Sequence, residues 1–85
     1  MLLNMTVKQR VANAVALNAD SFGFEKDDKT LLSYTISRKD ISSLASTSYE
    51  SVIRSLSELQ AENILKLEGK RIRILDMEGL GNITL

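Results

Sequence analysis

The chain has 85 residues, no cysteine, no histidine and a formal net charge of zero from 11 basic and 11 acidic side chains. That length holds one domain with a modest core. The composition excludes a disulfide framework, a thiolate or imidazole metal site, a cysteine nucleophile and a histidine base.

No apolar run approaches the roughly 20 residues that span a bilayer. The opening "MLLNM" lacks the charged flank of a signal peptide. The expected setting is cytoplasmic, without membrane contact. Zero net charge argues against gripping a polyanion by bulk charge. The charges are unevenly spread, however: from Ser37 to Arg73 seven basic residues face five acidic ones.

The first element is a helix from Thr6 to Phe22, with Thr6 as N-cap and Gln9 completing a capping box. Val7, Val11, Ala14, Val15 and Phe22 recur at helical spacing, so one face is apolar. Gly23 ends it. "FEKDDKT" has no apolar period and reads as an exposed loop, and "LLSYTI" reads as a short strand. Ser37, with Asp40 three residues on, starts a second helix of about two turns whose contacts are Ile41, Leu44 and Ala45. Ser46 and Thr47 form a turn.

Ser48 caps a third helix running to about Glu62, with Glu50 near its positive end. Val52, Leu56 and Leu59 form its inner side, while Glu50, Ile53, Arg54 and Ser57 line another face. Asn63 suits a left-handed exit. In "ILKLEGKRIRIL" alternation runs on both sides of Gly69-Lys70, the mark of a hairpin. The glycine-containing "DMEGLGNITL" reads as a tail.

A short helix, a tight turn and a longer helix make a helix-turn-helix, and a hairpin directly after it makes a wing. The expected fold is α+β, a winged helix-turn-helix of three helices, one short strand and a C-terminal hairpin. Residues 6–77 form the domain, residues 1–5 a hinge segment and residues 78–85 a tail.

The block "ISRKDISSLASTSYESVIRSLSELQAENILKLEGKRIRIL" resembles the C-terminal DNA-binding domain of the bacterial Crp/Fnr family, the cyclic-AMP receptor protein and fumarate-nitrate regulator family of transcription regulators. The first helix "SRKDISSL", the recognition helix "SYESVIRSL" and the wing "GKRIRIL" carry it. The likeness extends over about Thr6 to Met77.

The resemblance implies that Glu50 and Arg54 read base edges. The chemistry agrees, since arginine donates a bidentate pair to guanine and a carboxylate accepts from cytosine. It implies phosphate contacts for Ser37, Arg38 and Ser48, for the Val7 amide at its helix start, and for Lys70 in the wing turn. Tyr49 stands where the cyclic-AMP receptor branch has a second base-reading arginine. Ile53 replaces a small residue, where it can meet a thymine methyl, and Ser57 stands where a lysine is expected.

The implied partners are double-stranded DNA, a second copy of the full-length protein and, through "FEKDDK", RNA polymerase. Family members carry an upstream sensor domain and a long dimerisation helix. The chain is therefore expected to be a fragment of a longer regulator, with a stand-alone domain as the alternative; no cofactor is expected in it, and a cyclic nucleotide or other effector would bind upstream. No nucleophile-base pair or metal cluster marks an enzyme.

Other readings compete with these. Glu50 and Arg54 at i, i+4 can form an ordinary surface ion pair. Lys66, Arg71 and Arg73 read as the solvated face of a hairpin. Winged helices also serve as protein-interaction modules without sequence-specific DNA binding, which the partly apolar Tyr49–Ile53 face would suit.

Overall fold

The computed structural model describes residues 4–84, so residues 1–3 of the expected hinge lie outside it. The elements are α1 (Val7–Phe22), β1 (Phe24–Glu25), β2 (Asp28–Leu32), α2 (Arg38–Leu44), α3 (Tyr49–Ala61), β3 (Leu65–Glu68), β4 (Arg71–Ile74) and α4 (Met77–Ile83). This is an α+β winged helix-turn-helix, with one helix and one hairpin more than expected.

The caps form as the sequence pattern requires. Thr6 Oγ1 accepts the Gln9 amide at 3.1 Å, and Gln9 Oε1 accepts the Thr6 amide at 2.8 Å. Gly23 closes α1 at φ +70°, donating its N–H to the Ala19 carbonyl at 2.8 Å. Ser37 and Ser48 cap α2 and α3 by accepting the Asp40 and Ser51 amides. In the turn between them Ser46 takes φ +51°, a conformation costing a residue with a side chain about 1–2 kcal/mol. Asn63 leaves α3 at φ +61°.

Val11 and Val15 of α1, Ile41 of α2, and Val52, Leu56 and Leu59 of α3 form one core with Leu32, Leu65, Ile72 and Leu80. Every sheet pairing is antiparallel, and the strand order is β1-β2-β4-β3. In the wing Leu65 faces Ile74 and Leu67 faces Ile72. Its turn has positive φ at Gly69 and not at Lys70, the type II′ pattern that puts glycine first.

Four expectations need correction. "FEKDDKT" is not a loop: β1 and the start of β2 form a hairpin about Lys26-Asp27. Phe24 packs on the core and Leu31 of β2 pairs with Arg73 of β4, but the residues between them are polar and charged, so no apolar period betrays the hairpin. The strand expected at Leu31–Ile36 ends at Leu32. Beyond it the Asn18 side chain takes over, donating to the Tyr34 carbonyl at 2.7 Å and accepting the Ile36 amide at 2.8 Å.

The tail after Met77 is a helix. Asp76 caps it by accepting the Gly79 amide at 2.8 Å, and Leu80 is fully buried. A Cβ at Gly79 would stand 2.8 Å from Ile64 Cδ1, so this glycine permits close packing rather than breaking the helix. Finally, Phe22 and Leu44 are half-exposed, not part of the inner face. Phe22 lies against the Tyr34 ring at a centroid distance of 4.9 Å.

Arg73 joins the wing to the β1-β2 hairpin. It pairs with Asp28, donates to Thr30 Oγ1 at 2.7 Å and donates to Glu68 Oε2 at 2.7 Å. These hydrogen bonds hold the Asp28 and Glu68 carboxyls below their ordinary pKa values. A carboxyl depressed on folding stabilises fully above its unfolded pKa and loses that contribution as pH falls through its folded one. Stability is therefore expected to fall as pH drops below 4.5, the ordinary glutamate value. A D28N/E68Q variant should show a shallower fall in denaturant midpoints measured against pH. Leu80→Ala should cost about 2–5 kcal/mol in urea unfolding; a mere tail would show no loss.

Candidate nucleic-acid interface

The buried stripe of α3 determines what it exposes. With Val52, Leu56 and Leu59 wholly inside and about 100° between successive residues, Tyr49, Glu50, Ile53 and Arg54 point outward. Tyr49 is 57% and Ile53 39% exposed. Glu50 and Arg54 are exposed as well. Among the described residues neither makes an ion pair, so the surface-pair reading does not account for them.

Two hollows flank this face. One is a cleft of about 640 Å³ between α3 and the wing. Tyr49 and Ile53 form its α3 side, Ser37, Arg38 and Lys39 the start of α2, and Gly69 and Lys70 the wing turn. Its lining includes three cations and no carboxylate. The other hollow, about 250 Å³, brings Val7 and Lys8 at the start of α1 beside Ser51 and Arg54. Residues far apart in sequence thus converge around one exposed helix. Glu50 stands on that helix between the hollows, and Ser48 is its cap.

Several expected residues already have partners. Ser37 and Ser48 accept amides as caps, and the Ser48 hydroxyl is also 3.1 Å from Ser51 Oγ. Arg38 is half-buried, donating to the Lys70 carbonyl at 3.1 Å and the Gly69 carbonyl at 3.3 Å. Burial pushes its guanidinium below the usual arginine pKa, while Tyr49 acts the opposite way.

Of the eleven cations, Arg10 serves backbone carbonyls, and Lys26 and Lys29 of the β1-β2 hairpin have no carboxylate partner among the described residues; the other eight fall into two sets. Lys8, Lys66, Arg71 and Arg73 are paired with carboxylates. Arg38, Lys39, Arg54 and Lys70, all around the exposed face of α3, have no carboxylate partner among the described residues. Pairing elsewhere leaves a positive rim on a molecule of zero net charge. The wing strands read from sequence as a solvated hairpin face are, more specifically, neutralised by Glu25, Asp28 and Glu68.

Some supporting residues had escaped notice. Arg10 donates from Nε to the Ala45 carbonyl at 2.7 Å and from Nη1 to the Met5 carbonyl at 2.8 Å, tying α1 to the end of α2. Gln60 accepts the Leu67 amide at 2.7 Å, linking α3 to the wing. Asn18 had a visible signal, a polar side chain within the apolar stripe of α1. Nothing local marked the other two.

A family model of the Crp-like helix-turn-helix domain matches residues 9–83. The chain belongs to that family. FixK2 from Bradyrhizobium japonicum superposes with a TM-score of 0.83 at 25% identity, over 99% of this chain and 41% of that one. A putative transcriptional regulator of the Crp/Fnr family from Eubacterium rectale gives 0.81 at 23%, covering 98% and 35%. The Thermus thermophilus catabolite activator protein gives 0.76 at 24%, covering 92% and 33%. The chain thus spans about two fifths or less of these regulators. A search of curated proteins finds no match. Family and fold are those of the DNA-binding domain of Crp/Fnr transcription regulators. No helix among the described residues is long and apolar enough to cross a membrane.

Asn18 is 4% exposed and holds the backbone leading into α2. Asn18→Ala leaves the part-buried Tyr34 carbonyl and Ile36 amide without their partner, which should cost about 1 kcal/mol per group. Urea unfolding measures the cost, and amide shifts at Tyr34–Arg38 should move most.

Proposed function

We propose that this domain reads duplex DNA sequence-specifically, with α3 in the major groove and the wing beside the backbone. The observation that carries the reading is the charge segregation around α3: the cations of the wing strands, Lys66, Arg71 and Arg73, are paired with carboxylates, and Arg38, Lys39, Arg54 and Lys70 around α3 are not. A major groove about 12 Å wide admits one helix. Arg54 would donate to guanine, Glu50 would accept from cytosine, and Ile53 would meet a thymine methyl. Tyr49 would pack on a base or sugar edge.

Arg38, Lys39 and Lys70, with the Ser37 and Ser48 hydroxyls and the Val7 amide, would contact phosphates and set register without reading sequence. The domain would act in a homodimer, each copy on a half-site about 34–36 Å from the other. Catalysis has no part in this reading. An effector, cyclic nucleotide or otherwise, would act outside these residues, as would any contact with RNA polymerase that "FEKDDK" does not supply. A protein-interaction module is the second reading, favoured by the exposed Tyr49 and Ile53.

Selection from random duplexes, with the chain dimerised through a fused leucine zipper, distinguishes the two. A two-fold-symmetric motif is expected. Arg54→Ala should weaken binding by about 1–3 kcal/mol and relax preference at one base pair. Equal loss on all sequences would refute base reading by Arg54. No enrichment at any salt concentration would favour the protein-interaction module.

A further inference from the structure

We infer that Arg38 is a positioning residue that clamps the wing turn to the helix-turn-helix, so that wing and recognition helix present themselves to DNA as one rigid unit. The inference rests on the DNA-binding reading for its consequence and on the free protein's geometry for its substance. Arg38 is the first residue of α2, yet its guanidinium reaches two carbonyls 31 and 32 residues away, Gly69 at 3.3 Å and Lys70 at 3.1 Å. Those are the two central residues of the wing turn.

The clamp comes at a local cost. A cation at a helix start opposes the helix dipole, and Arg38 has no carboxylate partner among the described residues. Two carbonyl acceptors offset that cost in part. A guanidinium presents five N–H donors in a planar fork, and the two wing bonds use Nη1 and Nη2. Donors remain for a phosphate, so clamp and phosphate contact are compatible.

Elsewhere the wing is held from its strands. Arg73 ties β4 to Asp28 and Glu68, Gln60 takes the Leu67 amide, and Thr35 Oγ1 takes the Ile72 amide at 3.2 Å. None of these reaches Gly69 or Lys70. The turn would otherwise project from the sheet, on a glycine at positive φ with open space around it. Arg38 therefore fixes where the Lys70 charge sits relative to Tyr49 and Ile53 across the cleft.

Arg38→Lys tests this, because lysine keeps the charge but lacks the fork that spans two carbonyls. In the free 85-residue chain, backbone order parameters at Gly69 and Lys70 should fall from about 0.85 to below about 0.6, with α3 unchanged. Affinity for the selected duplex should fall about 30- to 900-fold, the cost of ordering two loosened residues on binding. Base preference and the salt slope should be kept.

Lys70→Ala is the counterpart. Its carbonyl remains for Arg38, so the turn should stay ordered while the salt slope drops by about 0.9. A wing turn as rigid in Arg38→Lys as in the wild type would overturn the clamp. A loosened turn in a protein that enriches no duplex would uphold the clamp and refute the DNA reading.

Discussion

The burial of Val52, Leu56 and Leu59 is the constraint on which the rest depends. It sets the rotation of α3 about its own axis and so decides which side chains meet solvent. Burying a side chain of this kind contributes about 1.5–3 kcal/mol, far more than any surface interaction of the exposed residues could. Glu50 and Arg54 do not choose their direction; the core chooses it for them. The Ser48 cap then fixes where the helix begins, and with it the height of Tyr49 and Glu50 along the axis.

Electrostatics works on top of that geometry by subtraction. With equal numbers of acids and bases, a positive face arises only where acids are occupied elsewhere. Arg73 engages Asp28 and Glu68, Arg71 engages Glu25, and Lys8 engages Glu62. Exposed pairs like these add little stability. Their larger effect is to leave Arg38, Lys39, Arg54 and Lys70 as the unpaired cations around one helix.

Much of this was legible in the sequence. The Thr6–Gln9 box, the Ser37 and Ser48 caps, the stripe of α3 and the alternation around Gly69 are local patterns, and local physics fulfils them. What escaped was non-local or solvated. The β1-β2 hairpin has no apolar alternation because its middle is charged, and its attachments are backbone pairing to β4, ion pairs to Arg71 and Arg73, and apolar residues only at its two ends. Helix α4 hid behind Gly79, whose absent side chain leaves room for Ile64 from the connection between α3 and β3. Nothing within "SRKDI" says that Arg38 spans to a turn more than thirty residues on. The same holds for the site: spacing placed Glu50, Ile53, Arg54 and Ser57 on one face and the family resemblance added Tyr49, but only the fold sets Val7 beside Arg54 and Lys70 across from Tyr49.

These features together bear on how such a domain could discriminate between DNA sequences. Phosphate contacts add affinity for every duplex, so a surface rich in free cations raises non-specific and specific binding alike. Here ion pairing removes the wing strands from that set and leaves a short rim of cations. On the proposed reading a larger share of the interface would fall to Arg54, Glu50 and the apolar contacts of Tyr49 and Ile53, the residues proposed to distinguish bases. On this argument the neutral net charge is no obstacle to DNA binding; it restricts the contribution of the contacts that cannot tell one sequence from another.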